Sequence, residues 1–88
     1  MKLSSFNDAG LTSLRQARTL LIVAAPPGAR PLHELAAALD VSSAAMTCIA
    51  DATDAAGLTV RGPREGDRRV TMLAITPKGR KAVERALS

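Results

Sequence analysis

The 88-residue chain carries twelve lysines and arginines against eight acidic residues, which gives a formal net charge of +4. It has one phenylalanine, no tryptophan or tyrosine and a single cysteine, so stacked aromatic ligands are disfavoured and an internal disulfide is excluded. No apolar run reaches the roughly 18 to 20 residues of a membrane span, and the N-terminus lacks the apolar segment of a signal peptide. We therefore expect one small cytoplasmic domain over residues 1–88, with an aliphatic core and no membrane contact.

The N-terminal part of the chain predicts a short arm and one helix. Residues 1–10 are polar and lack periodicity, so we expect a flexible arm or a segment that joins a partner subunit. Thr12 is the predicted cap of a helix that ends at the Pro26-Pro27-Gly28 breaker. The apolar positions of this helix recur at helical spacing: Leu14, Ala17, Leu20, Leu21 and Ala24. The opposite face is polar and holds Arg15, Arg18 and Thr19.

The next two predicted helices are joined by a tight turn. The first spans about Leu32 to Leu39, and its apolar face is formed by Leu32, Leu35, Ala36 and Leu39. Asp40-Val41-Ser42 forms the turn, in which we expect Val41 to point inward and Ser42 to cap the following helix. This arrangement predicts a helix-turn-helix.

The helix after the turn, from about Ser43 to Ala56, has two distinct faces. Its predicted inward stripe has three- and four-residue spacing and consists of Met46, Ile49, Ala50 and Thr53. Its predicted outward face near the N-terminus consists of Ser43, Ala44, Thr47 and Cys48. The outward face is the part of this helix that is free to meet a partner.

A β-hairpin is predicted next. Gly57 occupies the position at which helices commonly end in a left-handed residue. Leu58 to Arg61 and Arg69 to Ile75 are β-prone, whereas the segment between them, Gly62 to Asp67, holds glycine, proline and charge but no large apolar residue. This pattern predicts two strands joined by a long, charged tip.

A last helix is predicted from about Pro77 to Leu87. Thr76 supplies a hydroxyl at the N-cap, and Pro77 stands at the first helical position, where its missing N–H costs nothing.

The basic charge is concentrated in the C-terminal part of the chain. Residues 1–57 carry four bases and five acids, whereas residues 58–88 carry eight bases and three acids. This asymmetry is typical of proteins that bind a polyanion, most commonly nucleic acid. The alternative is a solvated surface that aids solubility.

The C-terminal part resembles the wing and following helix of MarR-type winged helix-turn-helix regulators. The pattern in that family is Gly-Leu, then arginines, Asp-x-Arg, an apolar strand and Leu-Thr-x-x-Gly. Its matching residues here are Gly57, Leu58, Asp67, Arg69, Thr76 and Gly79, with Ile75 in place of the usual leucine. Residues 32–47 resemble the helix-turn-helix of the same family, and the whole resemblance covers about residues 11–87.

The resemblance implies both a fold and a function. The implied fold is α+β, mainly α, with three helices, a two-stranded β-hairpin wing and a C-terminal helix. The implied function is that of a transcriptional regulator of bacterial or phage type, which binds double-stranded DNA as a homodimer and is not an enzyme. In such proteins the recognition helix, here about residues 43–56, enters the major groove, and the wing reaches the backbone or the minor groove.

The resemblance also implies which side chains meet DNA. The expected DNA-binding residues are Ser42, Ser43, Ala44, Thr47, Cys48, Arg61, Arg64, Arg68 and Arg69. We expect Asp67 to pair with one of these arginines and to hold the shape of the wing tip. The wing should therefore supply two or three phosphate contacts.

Two departures from the family pattern affect these expectations. The recognition helix has no lysine or arginine, and it contains Asp51 and Asp54. A second hypothesis is therefore a winged-helix module that binds a protein partner through this helix and binds DNA weakly or without sequence specificity.

The chain also lacks the long terminal helices through which MarR proteins dimerise and which frame their small-molecule pocket, so no small-molecule effector is expected. Dimerisation would then use the first helix, the last helix, or Leu3 and Phe6.

Other chemistry finds little support in the sequence. Cys48 is interpreted as a small, partly exposed residue, the alternative being a redox switch on the DNA face. His33 beside Glu34 is interpreted as a surface helix residue, because one histidine and one cysteine without spaced partners do not make a metal site. No phosphate-binding glycine loop, paired nucleophile and base, or convergent carboxylates are present. We expect no enzymatic activity, no cofactor and no metal.

Overall fold

The computed structural model of the chain describes residues 13–88, in which four helices and three strands alternate. The elements are α1 (Leu14–Ala24), β1 (Ala29–Pro31), α2 (Leu32–Leu39), α3 (Ser43–Ala55), β2 (Thr59–Arg64), β3 (Asp67–Ile75) and α4 (Pro77–Leu87). The mainly helical winged helix-turn-helix fold is confirmed. The arm predicted for residues 1–10, the Thr12 cap, and Leu3 and Phe6 lie outside the described residues.

The sheet has three strands, one more than predicted. The strands are antiparallel and lie in the order β1-β3-β2. The additional strand, β1, pairs with the end of β3 that is far from the hairpin turn, with Ala29 opposite Ala74 and Pro31 opposite Met72. A three-residue strand that contains arginine and proline has no alternation of its own, so its conformation depends on pairing with β3.

The hairpin of β2 and β3 is also longer than predicted. The segment from Gly62 to Asp67 was expected to form a long tip, but β2 extends to Arg64 and β3 begins at Asp67, so the turn consists of Glu65 and Gly66. Gly66 has a φ of 85°, which a glycine adopts without strain. Pro63 is tolerated because β2 is an edge strand of the sheet, and a shift in pairing register follows between Pro63 and Arg64.

Helix α1 is rotated from the predicted orientation. Ser13 is its N-cap, and the Ser13 hydroxyl accepts a hydrogen bond from the Gln16 backbone N–H at 3.2 Å. Thr19, predicted on the polar face, is fully buried, and its hydroxyl donates to the Arg15 carbonyl at 2.8 Å. Leu14, predicted on the apolar face, is 59% exposed. Threonine is accepted in the core here because the local hydrogen bond satisfies its hydroxyl.

The core is aliphatic, as the composition predicts. Its largest fully buried apolar side chains come from α1, α2, α3, β3 and the segment before β2: Leu20, Leu35, Met46, Leu58, Leu73 and Val23. Alanines fill much of the remaining helix interface, including Ala17, Ala50, Ala82 and Ala86. Small residues at these positions allow the helices to pack closely around the aliphatic side chains.

Helices α2 and α3 form the predicted helix-turn-helix, and the chain bends by 107° between them. Asp40 ends α2 in a left-handed conformation, Val41 packs partly buried against the core, and the Ser42 hydroxyl accepts a hydrogen bond from the Ala45 backbone N–H at 3.1 Å.

No single helix within residues 13–88 is long and apolar enough to span a membrane. Taken together, the sharply bent pair of α2 and α3 is long and apolar enough to do so, by length and composition only.

The junction between α3, β2 and α4 is closely packed. Gly57 follows α3 with a φ of 75°, as predicted. The Thr76 hydroxyl caps α4 by accepting from the Gly79 backbone N–H at 3.0 Å, and it donates to the Gly57 carbonyl at 2.7 Å. Thr76 therefore ties the start of α4 to the end of α3.

Candidate nucleic-acid interface

The N-terminal half of α3 presents a small, exposed polar face. Ser43, Ala44, Thr47 and Cys48 are all exposed, and the predicted inward stripe of Met46, Ile49, Ala50 and Thr53 is buried. Ser42 is exposed as well, but its hydroxyl is engaged as the N-cap. The Thr47 hydroxyl donates to the Ser43 carbonyl at 3.0 Å, which leaves its lone pairs free to accept. The face offers hydroxyls, a thiol and a methyl group, all of which can contact base edges.

The two acids of α3 are paired with the wing. Arg61 of β2 donates from Nε to Asp54 Oδ2 at 2.8 Å and from Nη2 to Asp51 Oδ1. Hydrogen bonds with Asp51 and then with Asp54 raise the pKa of Arg61, against the opposing effect of desolvation. Arg61 was expected to contact DNA, but its guanidinium is engaged by these two carboxylates. One of their two negative charges is in turn compensated by this arginine.

This ion-pair cluster continues inward as a chain of hydroxyls. Thr59 at the start of β2 donates to Asp54 Oδ1 at 2.6 Å, and its oxygen lies 2.7 Å from the hydroxyl oxygen of Thr53. The Thr53 hydroxyl also lies 3.1 Å from the Ala50 carbonyl. We call Arg61, Asp51, Asp54, Thr59 and Thr53 the helix–wing brace. It connects the outer surface of α3 to the base of the wing.

The wing tip holds three exposed arginines. Within residues 13–88, Arg64 and Arg68 make no ion pair or side-chain hydrogen bond. Arg69 is 92% exposed, and its Nε lies 3.3 Å from Asp67 Oδ1, which also accepts from the Arg69 backbone N–H at 3.2 Å. An exposed ion pair of this length contributes little stability. The Arg69 charge therefore remains available to an anion, while Asp67 holds the backbone at the start of β3.

Several other cations of the basic C-terminal part are engaged with backbone carbonyls. Lys78 Nζ donates to the Ala56 carbonyl at the end of α3 at 2.8 Å. Arg80 Nη1 lies 3.5 Å from the carbonyl of Ala24, the last residue of α1. Cations at helix C-termini satisfy unpaired carbonyls and compensate the helix dipole. Part of the charge that the sequence assigned to a polyanion is therefore structural.

A groove of about 260 Å³ separates α3 from the wing. Its lining comes from the start of α2, the N-terminal half of α3 and the middle of β3: Leu32, His33, Ser43, Met46, Thr47, Arg69, Val70 and Thr71. His33 and Thr71 were not among the predicted site residues. The sequence indicated only that His33 is on a helix surface, and the position of both residues beside α3 depends on the pairing of β1 with β3.

The remaining reactive side chains do not form a metal-binding arrangement in the described part of the chain. Cys48 is a free, exposed thiol. No group of three or more histidine, cysteine, aspartate or glutamate side chains between residues 13 and 88 is placed to hold a metal ion.

No protein-family model matches the chain, and no curated protein matches it. Solved structures do match. The transcriptional regulator BldR from Sulfolobus solfataricus is 31% identical with a TM-score of 0.78, and the match covers 84% of this chain and 52% of BldR. NadR, solved in complex with 4-hydroxyphenylacetate, is 28% identical with a TM-score of 0.79, over 94% of this chain and 57% of NadR.

A MarR-family transcriptional regulator from Rhodococcus sp. RHA1 has the same fold, with a TM-score of 0.83 at 21% identity. That match covers 96% of this chain and 58% of the regulator. The chain therefore spans little more than half of the length of these three proteins.

Proposed function

Because the chain carries a winged helix-turn-helix domain of the MarR type, we propose that it binds double-stranded DNA and regulates transcription. The observation that carries this proposal is the pair of arginines at the wing tip, Arg64 and Arg68, which have no partner within residues 13–88 and lie on the same hairpin that is braced against α3. Exposed cations on a rigid projection suit the phosphates of a duplex.

In the proposed complex the two parts of the interface have different tasks. The N-terminal half of α3 enters the major groove, where Ser43 and Thr47 accept or donate hydrogen bonds and Ala44 packs against a thymine methyl. The wing supplies phosphate contacts through Arg64, Arg68 and Arg69. Phosphate contacts provide most of the affinity, and the small side chains of α3 provide sequence preference.

The acids of α3 are compatible with this arrangement because of the brace. Unpaired, Asp51 and Asp54 would repel a DNA backbone beside the helix. Because they share Arg61, the two carboxylates and this guanidinium together carry one negative charge instead of two. Arg61 therefore acts on DNA binding through the position of the wing rather than by direct contact.

We further propose that two copies bind a pseudo-palindromic site. Leu14 of α1 and Leu87 of α4 are 59% and 64% exposed, and these two helices pack against each other. Such residues suit an interface between copies of the chain. Two half-sites on one face of the duplex would then lie about one helical turn apart, roughly 34 Å. The expected absence of a small-molecule effector stays a prediction, since NadR was solved with a bound ligand.

The test is fluorescence anisotropy with a duplex from the region upstream of the protein's own gene and a random duplex of equal length. We expect the upstream duplex to bind at least about 10³-fold more tightly at physiological salt. Titration well above the dissociation constant should give two chains per duplex. Thr47→Ala should change the preferred sequence in a site-selection experiment more than it changes the affinity for random DNA.

The alternative proposal is a winged-helix module that binds a protein partner through α3. It predicts weak, equal binding of both duplexes that disappears at physiological salt. It also predicts a stoichiometric protein partner whose binding is lost on Ala44→Arg. Retention of that partner by the Ala44→Arg variant would contradict the alternative.

A further inference from the structure

The groove between α3 and the wing has a lining that suits one strand of a nucleic acid. Its polar groups are the hydroxyls of Ser43, Thr47 and Thr71, the Arg69 guanidinium and the His33 imidazole. Its floor is apolar and is formed by Leu32, Met46 and Val70. None of the eight lining residues is acidic. The groove can therefore donate several hydrogen bonds to an anion, and no acidic side chain in its lining repels that anion.

The position of the groove agrees with the geometry of a duplex. In B-form DNA a sugar-phosphate strand separates the major groove from the adjacent minor groove. A protein with one helix in the major groove and a hairpin at the minor groove must straddle that strand. The space between α3 and β3 is the part of this structure that the strand would cross.

We propose that this groove holds the sugar-phosphate backbone of one DNA strand and that His33 donates a hydrogen bond to a phosphate in it. This inference rests on the proposed DNA-binding function and adds a contact that lies outside both the α3 face and the wing tip. Thr71 would donate to the same or the neighbouring phosphate.

A histidine contact makes DNA affinity depend on pH near neutrality. A phosphate favours the imidazolium form of a histidine, so binding should strengthen as the pH falls through the range in which histidine titrates, around 6.5. The charged groups near His33 are few. Arg69 faces it from β3, α3 contributes no charged residue to the groove, Glu34 follows it on α2, and Arg30 on β1 is engaged with the Pro26 and Ala29 carbonyls. A bound phosphate would therefore be the principal anion in the groove.

The chain offers a clean experiment because His33 is its only histidine. The untagged full chain is titrated with the upstream duplex by fluorescence anisotropy at about pH 5.8 and about pH 8, bracketing the histidine range. We expect the wild-type dissociation constant to fall about fivefold or more at the lower pH, and the salt slope to steepen by about 0.9, the value of one added phosphate contact.

The variants separate this contact from the rest of the interface. His33→Gln keeps a hydrogen-bond donor and every other titratable group, so it should remove most of the pH dependence of DNA binding. Arg68→Gln should weaken binding at both pH values and keep the wild-type pH dependence. His33 is exposed, and circular dichroism of both variants checks that the fold is retained.

A direct reading comes from the imidazole NMR signals of His33. We expect these signals to shift when the duplex is added, because the ring donates to a phosphate. If His33→Gln retains the wild-type pH dependence, or if the signals of the wild-type ring are unchanged by the duplex, the groove contact is wrong while DNA binding stands. If the wild-type chain binds no duplex at either pH, the proposed function fails and the groove contact fails with it.

Discussion

Gly79 is the residue at which the structure tolerates least change. A Cβ atom on Gly79 would lie 2.2 Å from the Leu58 carbonyl oxygen and 2.8 Å from a side-chain carbon of Ile75. The carbonyl is fixed because it accepts from the Thr76 backbone N–H at 3.0 Å. The Thr-x-x-Gly pattern therefore has a physical cause: the threonine caps α4, and the glycine lets the helix lie directly on the backbone before β2.

We expect Gly79→Ala to lower the free energy of unfolding by about 2 to 3 kcal/mol, because the added methyl group forces α4 away from Leu58. Gly62→Ala is the matched control, since a Cβ there meets no atom within 4 Å, and it should change stability by less than about 0.5 kcal/mol. Chemical denaturation of both variants measures the difference. Equal stability of the two variants would show that α4 does not pack as described.

Single residues differ in how far the sequence predicts them. The caps Ser42 and Thr76 follow from local hydrogen-bonding chemistry, and both are confirmed. The burial of Thr19 could not be predicted, because threonine counts as a polar residue in a sequence pattern. In the structure a hydrogen bond to the Arg15 carbonyl of the same helix satisfies its hydroxyl and allows it into the core. The clash at Gly79 depends on contact with Leu58, twenty-one residues earlier in the chain, so the sequence predicted the glycine only through a family resemblance.

At the scale of elements, the helix–wing brace is the feature that relates α3 to the hairpin. Arg61 is 30% exposed at its side chain, and its partner Asp54 is 24% exposed, so this pair is better shielded from solvent than the pair at the wing tip. The register of β2 against β3 points Arg61 toward α3. The sequence predicted a strand that ends at Arg61 and a tip that begins at Gly62, whereas the strand continues to Arg64 and holds Arg61 in its middle.

We expect Arg61→Met to lower the free energy of unfolding by about 1 kcal/mol, because two acids on α3 lose their shared cation. It should also weaken DNA binding, since the wing is less firmly held and the acids are no longer compensated. Arg68→Met is the matched control, because it removes the same charge from an unpaired position. It should weaken DNA binding, and its free energy of unfolding should lie within about 0.5 kcal/mol of that of the wild type.

Thermal and chemical denaturation, with anisotropy on the same samples, separate the two variants. The brace would be refuted if Arg61→Met were as stable as Arg68→Met.

At the scale of the whole molecule, charge is divided between structural and exposed positions. Arg61 compensates acids, and Lys78 and Arg80 contact carbonyls at helix ends. Arg64 and Arg68 are free of such contacts within residues 13–88. The count of basic residues in the sequence predicted a polyanion partner, but it did not distinguish these two groups, because the partners of each cation come from distant parts of the chain.

The architecture was more predictable than the site. Helix periodicity, the proline breaker and the β-prone runs gave four helices and the hairpin, since each signal is local. Strand β1 and the groove beside His33 could not be predicted, because both arise only when β1 pairs with β3. The exposed face of α3 followed correctly from its spacing, whereas the DNA contacts proposed for that face await measurement.

In the proposed complex the wing tip binds DNA phosphates through Arg64 and Arg68, and the salt dependence of binding tests this claim most directly. The observed association constant is measured over a salt series for the wild type, for Arg64→Ala/Arg68→Ala and for Arg30→Ala/Arg80→Ala. The second double variant removes the same charge from two arginines that contact backbone carbonyls. We expect the wing-tip variant to lose about 1.8 from the log–log slope, the value of two phosphate contacts, and the control to keep the wild-type slope. Equal slopes for the two double variants would contradict the claim.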